Sequence, residues 1–471
     1  QAGLKHLWSF FPCSTRRRIR MSCESRSSQT GRRLRVLHGH CVHPSPRKAC
    51  IPRIVASPLP KTIRITGWGA SALGKFGRPP CDLVQEALGK ALKQAGLEVA
   101  DLDGLVAVPS LSEPHFMEAH FQATAMGLLP KKGVRVRTID TGGAGPVTAL
   151  MEAARMVRHE GCQAVAIVAG DAVLSLPLEE FLARADASCT PPSTDLVTRG
   201  LPGTTALPHK SPVVPHGYSH ATQYQMREFG VTREQLAMVS VLMASQATRH
   251  PDAMTKKPRT LEEVLACEEV APNLGRLECA RRADGAAAVI LCSSRFLERK
   301  QLPVEGRPVY LGGGEASGPL YPPVNLNEDT FSCETAASYA YEQAQVTAED
   351  IDFFGLYDCF PVCFIRALEA VRLAPKGGGG ALVEKLYEKY VAGGCVPLPP
   401  ADFPVNTHGG LLGFGAPWET PAMYNIIEAC EQLTGNAGMR QVPRCRRALV
   451  YGNGGIFSAS SVVVLGNGRG A

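Results

Sequence analysis

Residues 351–368 constrain this chain more tightly than any other stretch. Ile351-Asp352-Phe353-Phe354 is apolar enough for a buried strand. Phe360, Phe364, Leu368 and Val371 then recur at helical spacing, and Pro361 fits the first helical turn, where its missing N–H costs nothing. Strand, tight turn and helix in that order make a unit of an α/β sheet. The turn therefore stands at the carboxyl end of a strand, where such sheets bind ligands. It presents a phenol (Tyr357), a carboxylate (Asp358) and a thiol (Cys359) together. Taken alone, Cys359 reads better as an inert thiol packed under the helix.

The rest of the chain repeats this plan. Strands are expected at 62–67, 105–108, 134–139, 164–168 and 286–291, with a helix capped by Asp82 and ended by Gly96, and another over 147–157. Such alternation predicts a parallel sheet covered on both faces. Residues 185–216 break the rhythm with Pro, Ser, Thr and Gly, and two amphipathic helices follow at 221–229 and 233–247. About 172–275 is thus an excursion from the sheet, a lid or ligand-binding region. A second α/β unit starts at 309–311 and closes with a helix at 421–433 and strands at 448–450 and 461–465. The expected division is a presequence over 1–60, one half over 61–300 with the excursion as its loop domain, and a similar half over 301–471.

The net charge of +7 belongs to the leader. Residues 1–60 hold 12 of the 50 Lys/Arg and one of the 43 Asp/Glu, which leaves 61–471 with 38 basic and 42 acidic side chains, a formal −4. Nucleic-acid binding has no electrostatic footing there. The leader is Arg- and Ser-rich and acid-poor, as mitochondrial transit peptides are, and a disordered targeting segment is expected. Arg33-Leu34 followed by His40 nearly matches a peroxisomal or glycosomal address, which Cys41 spoils. No run of 18 apolar residues occurs, so no membrane span is expected. The 16 Cys form no C-x-x-C pair, which predicts no metal site, no disulfide framework and a reducing compartment.

The chain carries three glycine-rich turns: Gly142–Gly145, Asn406–Gly410 with its continuation Gly413–Pro417, and Gly452–Gly455. None is a P-loop or a dinucleotide-binding fingerprint, so nucleotide hydrolysis and dinucleotide binding are disfavoured. Gly377–Gly380 reads as a flexible surface insertion.

The order of these turns, with Ala153-Ala154-Arg155-Met156, Asp284-Gly285-Ala286-Ala287-Ala288 and the run from Ala429 to Pro443, resembles the thiolase superfamily from about Thr62 to Gly466. Sterol-carrier-protein-type thiolases are the nearest group. Tyr357-Asp358-Cys359-Phe360 stands where they carry His-Asp-Cys-Phe, and the Tyr version resembles the trypanosomatid thiolase-like proteins. The resemblance implies an α/β thiolase fold, a coenzyme A thioester as ligand, no tightly bound cofactor, and a homodimer paired through the first sheet. It also reverses the inert reading of Cys359.

The departures from the family pattern bear on mechanism. The nucleophilic cysteine falls at Gly143, and no Cys lies between Cys81 and Cys162. The Gly-His-Pro motif is Gly415-Ala416-Pro417, so the catalytic histidine is missing. Ordinary thiolysis needs a thiolate and a base at these places. What the resemblance leaves is oxyanion stabilisation by backbone N–H groups of Gly143 and of Gly454 or Gly455, with a second hole near Asn406 assisted by Tyr357. His408 and Ala416 are expected near the substrate. Decarboxylation of malonyl-CoA makes a thioester enolate without a nucleophile; Cys359 then serves as general acid, Tyr357 as donor and Asp358 as orienter of the turn. The alternatives are a non-catalytic carrier of acyl-CoA, a retro-aldol carbon–carbon lyase, and residual acetyl-CoA acyltransferase activity on ligands such as acetoacetyl-CoA.

Overall fold

The predicted strands close into one mixed sheet and a small hairpin. In chain order they are β1 (Ile63–Ala70), β2 (Gly104–Ala107), β3 (Arg135–Thr138), β4 (Ala164–Ala172), β5 (Glu269–Ala271), β6 (Leu274–Gly275), β7 (Asp284–Ser293), β8 (Val309–Ser317), β9 (Phe353–Leu356), β10 (Arg447–Gly454) and β11 (Ala459–Gly466). The large sheet runs β3-β2-β4-β7-β1-β8-β11-β10-β9, with β5 and β6 apart. Strands before residue 300 fill one flank and strands after it the other. They meet where Arg64 of β1 pairs with Val309 of β8. The computed structural model describes residues 62–190, 210–392 and 398–469, all within the unit Pro58–Ala471. The basic leader and residues 191–209 of the Pro/Ser/Thr-rich loop lie outside the described residues.

The α/β class holds, but the sheet is not parallel throughout. Pairings β3-β2-β4 and β9-β10 are parallel, whereas β4-β7, β7-β1, β1-β8, β8-β11 and β11-β10 are antiparallel. Alternation of strand and helix predicts a parallel sheet only where each helix is a crossover. Here β10 turns directly into β11, with Ser458 N donating to Gly454 O at 2.9 Å.

Burial on both faces follows from the strand period of two. In β4, Ala164, Ala166 and Val168 face a core shared with helix Pro80–Ala95, while Val165, Ile167 and Ala169 face the larger core. Helix Gly145–His159 lies in that larger core and reaches β4 and β10, one strand from each flank. Bare backbone in the two central strands lets helices settle closely. A Cβ on Gly67 or Gly69 would overlap carbonyls of helix Pro80–Ala95, and one on Gly312 or Gly314 would overlap backbone of helix Cys333–Ala344.

The excursion leaves β4 at Ala172 and returns at Asp284 of β7, and these two residues pair. It carries helices Leu178–Cys189, Val213–Phe229, Arg233–Ala247 and Leu261–Leu265. Two of these correct the sequence reading. Helix Leu178–Cys189 begins ahead of the predicted irregular stretch, and Val213–Phe229 starts well before 221. Helix Arg233–Ala247 opens on a Thr232 capping box and is buried on every face from Leu236 to Ala247. Gly377–Gly380 is no flexible insertion: Gly379 and Gly380 are buried and open helix Gly379–Leu386, and Gly379 N donates to Glu369 Oε1 at 3.0 Å. Asp82 lies in the first turn of its helix, where Pro79 is the capping residue.

One buried cation ties the excursion to the helix after the anchor turn, Pro361–Ala370. The Arg366 guanidinium lies 3.6 Å over the Phe331 ring and donates to Gln225 Oε1 (3.1 Å), Glu328 Oε2 (3.1 Å) and Glu334 Oε1 (3.3 Å). A guanidinium this deep is tolerated because anionic partners surround it. Among the described residues, no helix is long and apolar enough to cross a membrane.

Candidate active site

Two side chains fix the anchor turn before any ligand is considered. Asn406 copies a peptide group, its Oδ1 accepting from Leu356 N at 2.7 Å and its Nδ2 donating to Leu356 O at 2.8 Å. Asp358 accepts from Leu411 N (2.7 Å) and Leu412 N (3.4 Å), which holds the turn to the short helix Gly410–Gly413. Gly410 sits at φ 58°, and a Cβ there would overlap the Asp358 carboxylate. Burial lifts the Asp358 carboxyl to about 7, and the two N–H groups work against that rise.

The turn so held delivers Tyr357 to Gly143. A Cβ on Gly143 would overlap the Tyr357 hydroxyl and ring, and would lie 2.6 Å from Asn453 O. The phenol therefore occupies the space that a side chain at 143 needs. The glycine turns meet at the same point, since a Cβ on Gly142 would lie 2.9 Å from Gly455 N and one on Gly454 would overlap Thr141 O. Burial first, then the neighbouring Cys359 and Glu419, raise the Tyr357 phenol well above its ordinary value. It remains protonated, and its hydroxyl makes no hydrogen bond among the described residues. An unspent donor thus stands at the mouth of a helix N-terminus, where developing negative charge is favoured. Cys359 lies beside it with Sγ 3.4 Å from Cys363 Sγ, and its carbonyl accepts from Ala280 N at 2.9 Å.

Three sequence expectations need correction. Asn406 has no donor left for a second oxyanion hole, because its Nδ2 donates to Leu356 O and to Met243 Sδ (3.8 Å) and its backbone N to Phe354 O (3.0 Å). Ala416 offers a substrate nothing polar: its N donates to Arg281 O at 2.7 Å and its carbonyl accepts from Ala283 N at 3.3 Å. His408 is buried 5.2 Å from the Phe414 ring centroid, and burial, with Arg440 nearby, pushes its imidazole down to about 3. No contact joins it to Tyr357 or Gly143 among the described residues.

Two residues of the site were missed. Tyr218, from helix Val213–Phe229, donates to Gly455 O, accepts from Asn453 Nδ2 at 2.8 Å, and lies 4.6 Å from the Phe360 ring. It clamps the last glycine turn to the anchor turn, yet nothing in its local sequence marks it. Glu419 has a fully enclosed Oε2 with no partner and acts electrostatically on Tyr357. Its only signal was a place two residues beyond Pro417.

Among the described residues, one cluster has metal-like spacing, His250 with Glu428 and Glu431. Arg440 already supplies the cation there, its Nε 3.1 Å from Glu428 Oε1 and a terminal nitrogen 2.5 Å from Glu431 Oε2. Of the excursion's basic residues, Arg233 is spent on Glu278 and Arg227 pairs with Glu228, while Lys210 and Lys257 are exposed. Lys256 lines a cavity of about 360 Å³ with Ala72, Leu73, Asp252 and Met254. Leu73 and Met254 also flank Gly415, so this cavity borders the Gly415–Pro417 loop.

Residues 325–467 match the family model described as thiolase C-terminal domain-like. The chain is 29% identical over 390 residues to an acetyl-CoA acetyltransferase of Methanothermobacter thermautotrophicus, covering 81% of this chain and 93% of that one. The chain is thus similar to proteins of the thiolase superfamily along most of its length. It is 30% identical over 250 residues to human sterol carrier protein 2, of which it spans 43%. Among solved structures, the Ltp2-ChsH2(DUF35) aldolase superposes with a TM-score of 0.69 at 23% identity, covering 88% of this chain and all of that one. The α/β architecture is the thiolase fold, and Gly143, at the foot of helix Gly145–His159, lies in the large core between its two flanks.

Asp358 gives a pH-dependent prediction. Its folded-state pKa lies above the ordinary 3.8, so the stability it contributes is complete below about pH 4 and is lost as pH rises through about 7. Urea unfolding at about pH 5 and about pH 8 should show that loss in wild type and a smaller one in Asp358→Asn, which keeps an acceptor for Leu411 N. Asp358→Ala strands two buried N–H groups and should cost about 1–3 kcal/mol at either pH.

Proposed function

We propose that the chain is an acyl-CoA enzyme of lipid metabolism that stabilises a thioester enolate without a cysteine nucleophile, with malonyl-CoA decarboxylation as its reaction. The observation that supports this above others is the Tyr357 hydroxyl, protonated and unspent, standing in the side-chain space of Gly143. A thioester oxygen at that point meets the Tyr357 O–H and the backbone N–H groups of the Gly143, Gly454 and Gly455 turns. One such donor is worth about 3–4 kcal/mol to an oxyanion. Loss of CO2 leaves the bonding pair in the enolate; Cys359 gives its proton to the carbon and regains one from water. No base is needed to start this sequence. Acyl transfer through residue 143 ranks behind it, because glycine offers no nucleophile. The coenzyme A chain is assigned to the cavity beside Gly415, with Lys256 at its rim for a phosphate, and no tightly bound cofactor is invoked.

A second reading, carbon–carbon cleavage of a β-hydroxyacyl-CoA, is favoured by the Glu419 carboxyl beside Tyr357, and an aldolase is among the structural neighbours. The purified protein is expected to convert malonyl-CoA to acetyl-CoA. Tyr357→Phe and Cys359→Ala should each lower kcat about tenfold or more, with thioester affinity by calorimetry little changed. Cleavage of a β-hydroxyacyl-CoA but not malonyl-CoA would transfer the site to the second reading. Binding with no product from either would make it a carrier.

We further propose a homodimer paired through the first sheet, a mitochondrial address in residues 1–60 with the glycosome as alternative, and kinship with the trypanosomatid type on Tyr357-Asp358-Cys359-Phe360. Light scattering should give twice the monomer mass, and a fluorescent protein fused to residues 1–60 should enter mitochondria. A monomeric mass or cytosolic fluorescence would contradict them.

A further inference from the structure

Hydrogen-bond accounting around the three glycine turns singles out one carboxyl. Asp358 is spent on Leu411 and Leu412. Asp171 accepts from the backbone of Leu111, Ser112 and Ala172, and Asp284 from Phe76 and Ser175. Glu428 is held by Thr407, Gln432 and Arg440. Glu118 also has an enclosed Oε2 without a hydrogen bond, but the His115 imidazole lies 3.6 Å from it as a charge partner. Glu419 has a hydrogen bond with the Trp418 side chain, but its Oε2 is enclosed and unpartnered. A buried polar atom left unpaired costs stability, so such groups mark sites where a ligand completes them.

The local backbone aims this carboxyl. Thr420 N donates to Pro417 O at 2.9 Å, which closes a turn with Trp418 and Glu419 at its centre. Trp418 sits at φ 45°, a conformation that bulky residues rarely adopt. Its ring packs edge-on to Phe181 at 5.7 Å, and Arg282 lies 4.6 Å over the other aromatic partner's face. The charged and titratable groups that Glu419 meets are Asp140 and Asp171, and its own charge is felt by Tyr357 and Cys189. Asp140 immediately precedes the turn of Gly142 and Gly143. The carboxyl, with its enclosed oxygen, is thus near enough to that turn and to the phenol to interact with both electrostatically.

We propose that Glu419 is a catalytic acid–base group of this site and confers a further activity, reversible enolisation of acyl-CoA thioesters. The carboxylate takes an α-proton, the C–H pair becomes the enolate double bond, and the C=O pair moves onto the oxygen held by Tyr357. The reverse step returns the proton from Glu419 to carbon. Nothing is oxidised or reduced, and the partly exposed Glu419 exchanges its proton with solvent between turnovers. The inference rests on the enolate reading of the Tyr357 site but needs no decarboxylation. Burial, with Asp140 and Asp171 nearby, raises the carboxyl to about 8, so the carboxylate fraction and the exchange rate rise with pH through that value.

The test is proton NMR of acetyl-CoA with the full chain in D2O. Wild type should exchange the methyl protons at a rate that climbs through an inflection near pH 8, and Glu419→Gln should lose about a hundredfold or more while binding acetyl-CoA as wild type does. Exchange in Glu419→Gln equal to wild type overturns the role of Glu419. Decarboxylation of malonyl-CoA by a wild type that shows no exchange overturns the enolisation activity and leaves the proposed function standing. Neither reaction in wild type, with the fold intact by circular dichroism, overturns both.

Discussion

The close approach of the Tyr357 hydroxyl to the bare backbone of Gly143 governs everything else at the site. One added carbon at 143 would expel the phenol, and one missing phenol would leave an unfilled space beside a helix N-terminus. The two residues are therefore a matched pair, brought together from positions more than two hundred residues apart. Their pairing exchanges a nucleophile for a hydrogen-bond donor, and with it covalent catalysis for electrostatic stabilisation.

That exchange is dependable only because the surrounding polar groups are already committed. Asn406 is consumed by Leu356, Asp358 by the Gly410–Gly413 helix, and Asn453 by Tyr218. Arg366 anchors helix Pro361–Ala370 against the excursion with three hydrogen-bonded partners and a ring. These contacts rigidify the three turns and leave few groups with chemistry to offer. Among the groups left unspent are the Tyr357 O–H and the Glu419 Oε2, a donor and a carboxyl close enough to act on each other electrostatically. Preorganisation of this kind is what makes a donor effective toward charge that appears only in the transition state.

Much of this was legible in the sequence wherever a short-range rule governs. The strand–turn–helix at 353–370 and the apolar strand at 164–168 follow from short-range pattern, whereas the helix from Arg233, expected to be amphipathic, is buried on every face from Leu236 to Ala247. The glycine turns were visible as turns, and their order along the chain carried the family resemblance. Strand direction was not legible, because β10 and β11 join by a tight turn where the alternation rule assumes a crossover. The fate of Asn406, His408 and Ala416 was hidden for a different reason. Each sits in a recognisable motif, but its hydrogen-bond partners, or its burial, come from segments distant in sequence. Tyr218 and Glu419 had no motif at all. Only the folded chain shows that one clamps Gly455 and the other is left with an unpartnered oxygen.

The central claim is that the Tyr357 phenol does at Gly143 what a side chain at 143 no longer does. A crystal structure with a non-hydrolysable malonyl-CoA analogue tests it most directly. The account predicts the thioester oxygen within hydrogen-bond distance of the Tyr357 hydroxyl and beside the Gly143 and Gly455 turns, about 3 Å from the donor. A thioester seated elsewhere, with the phenol still packed on Gly143 and no ligand atom reaching it, would contradict it.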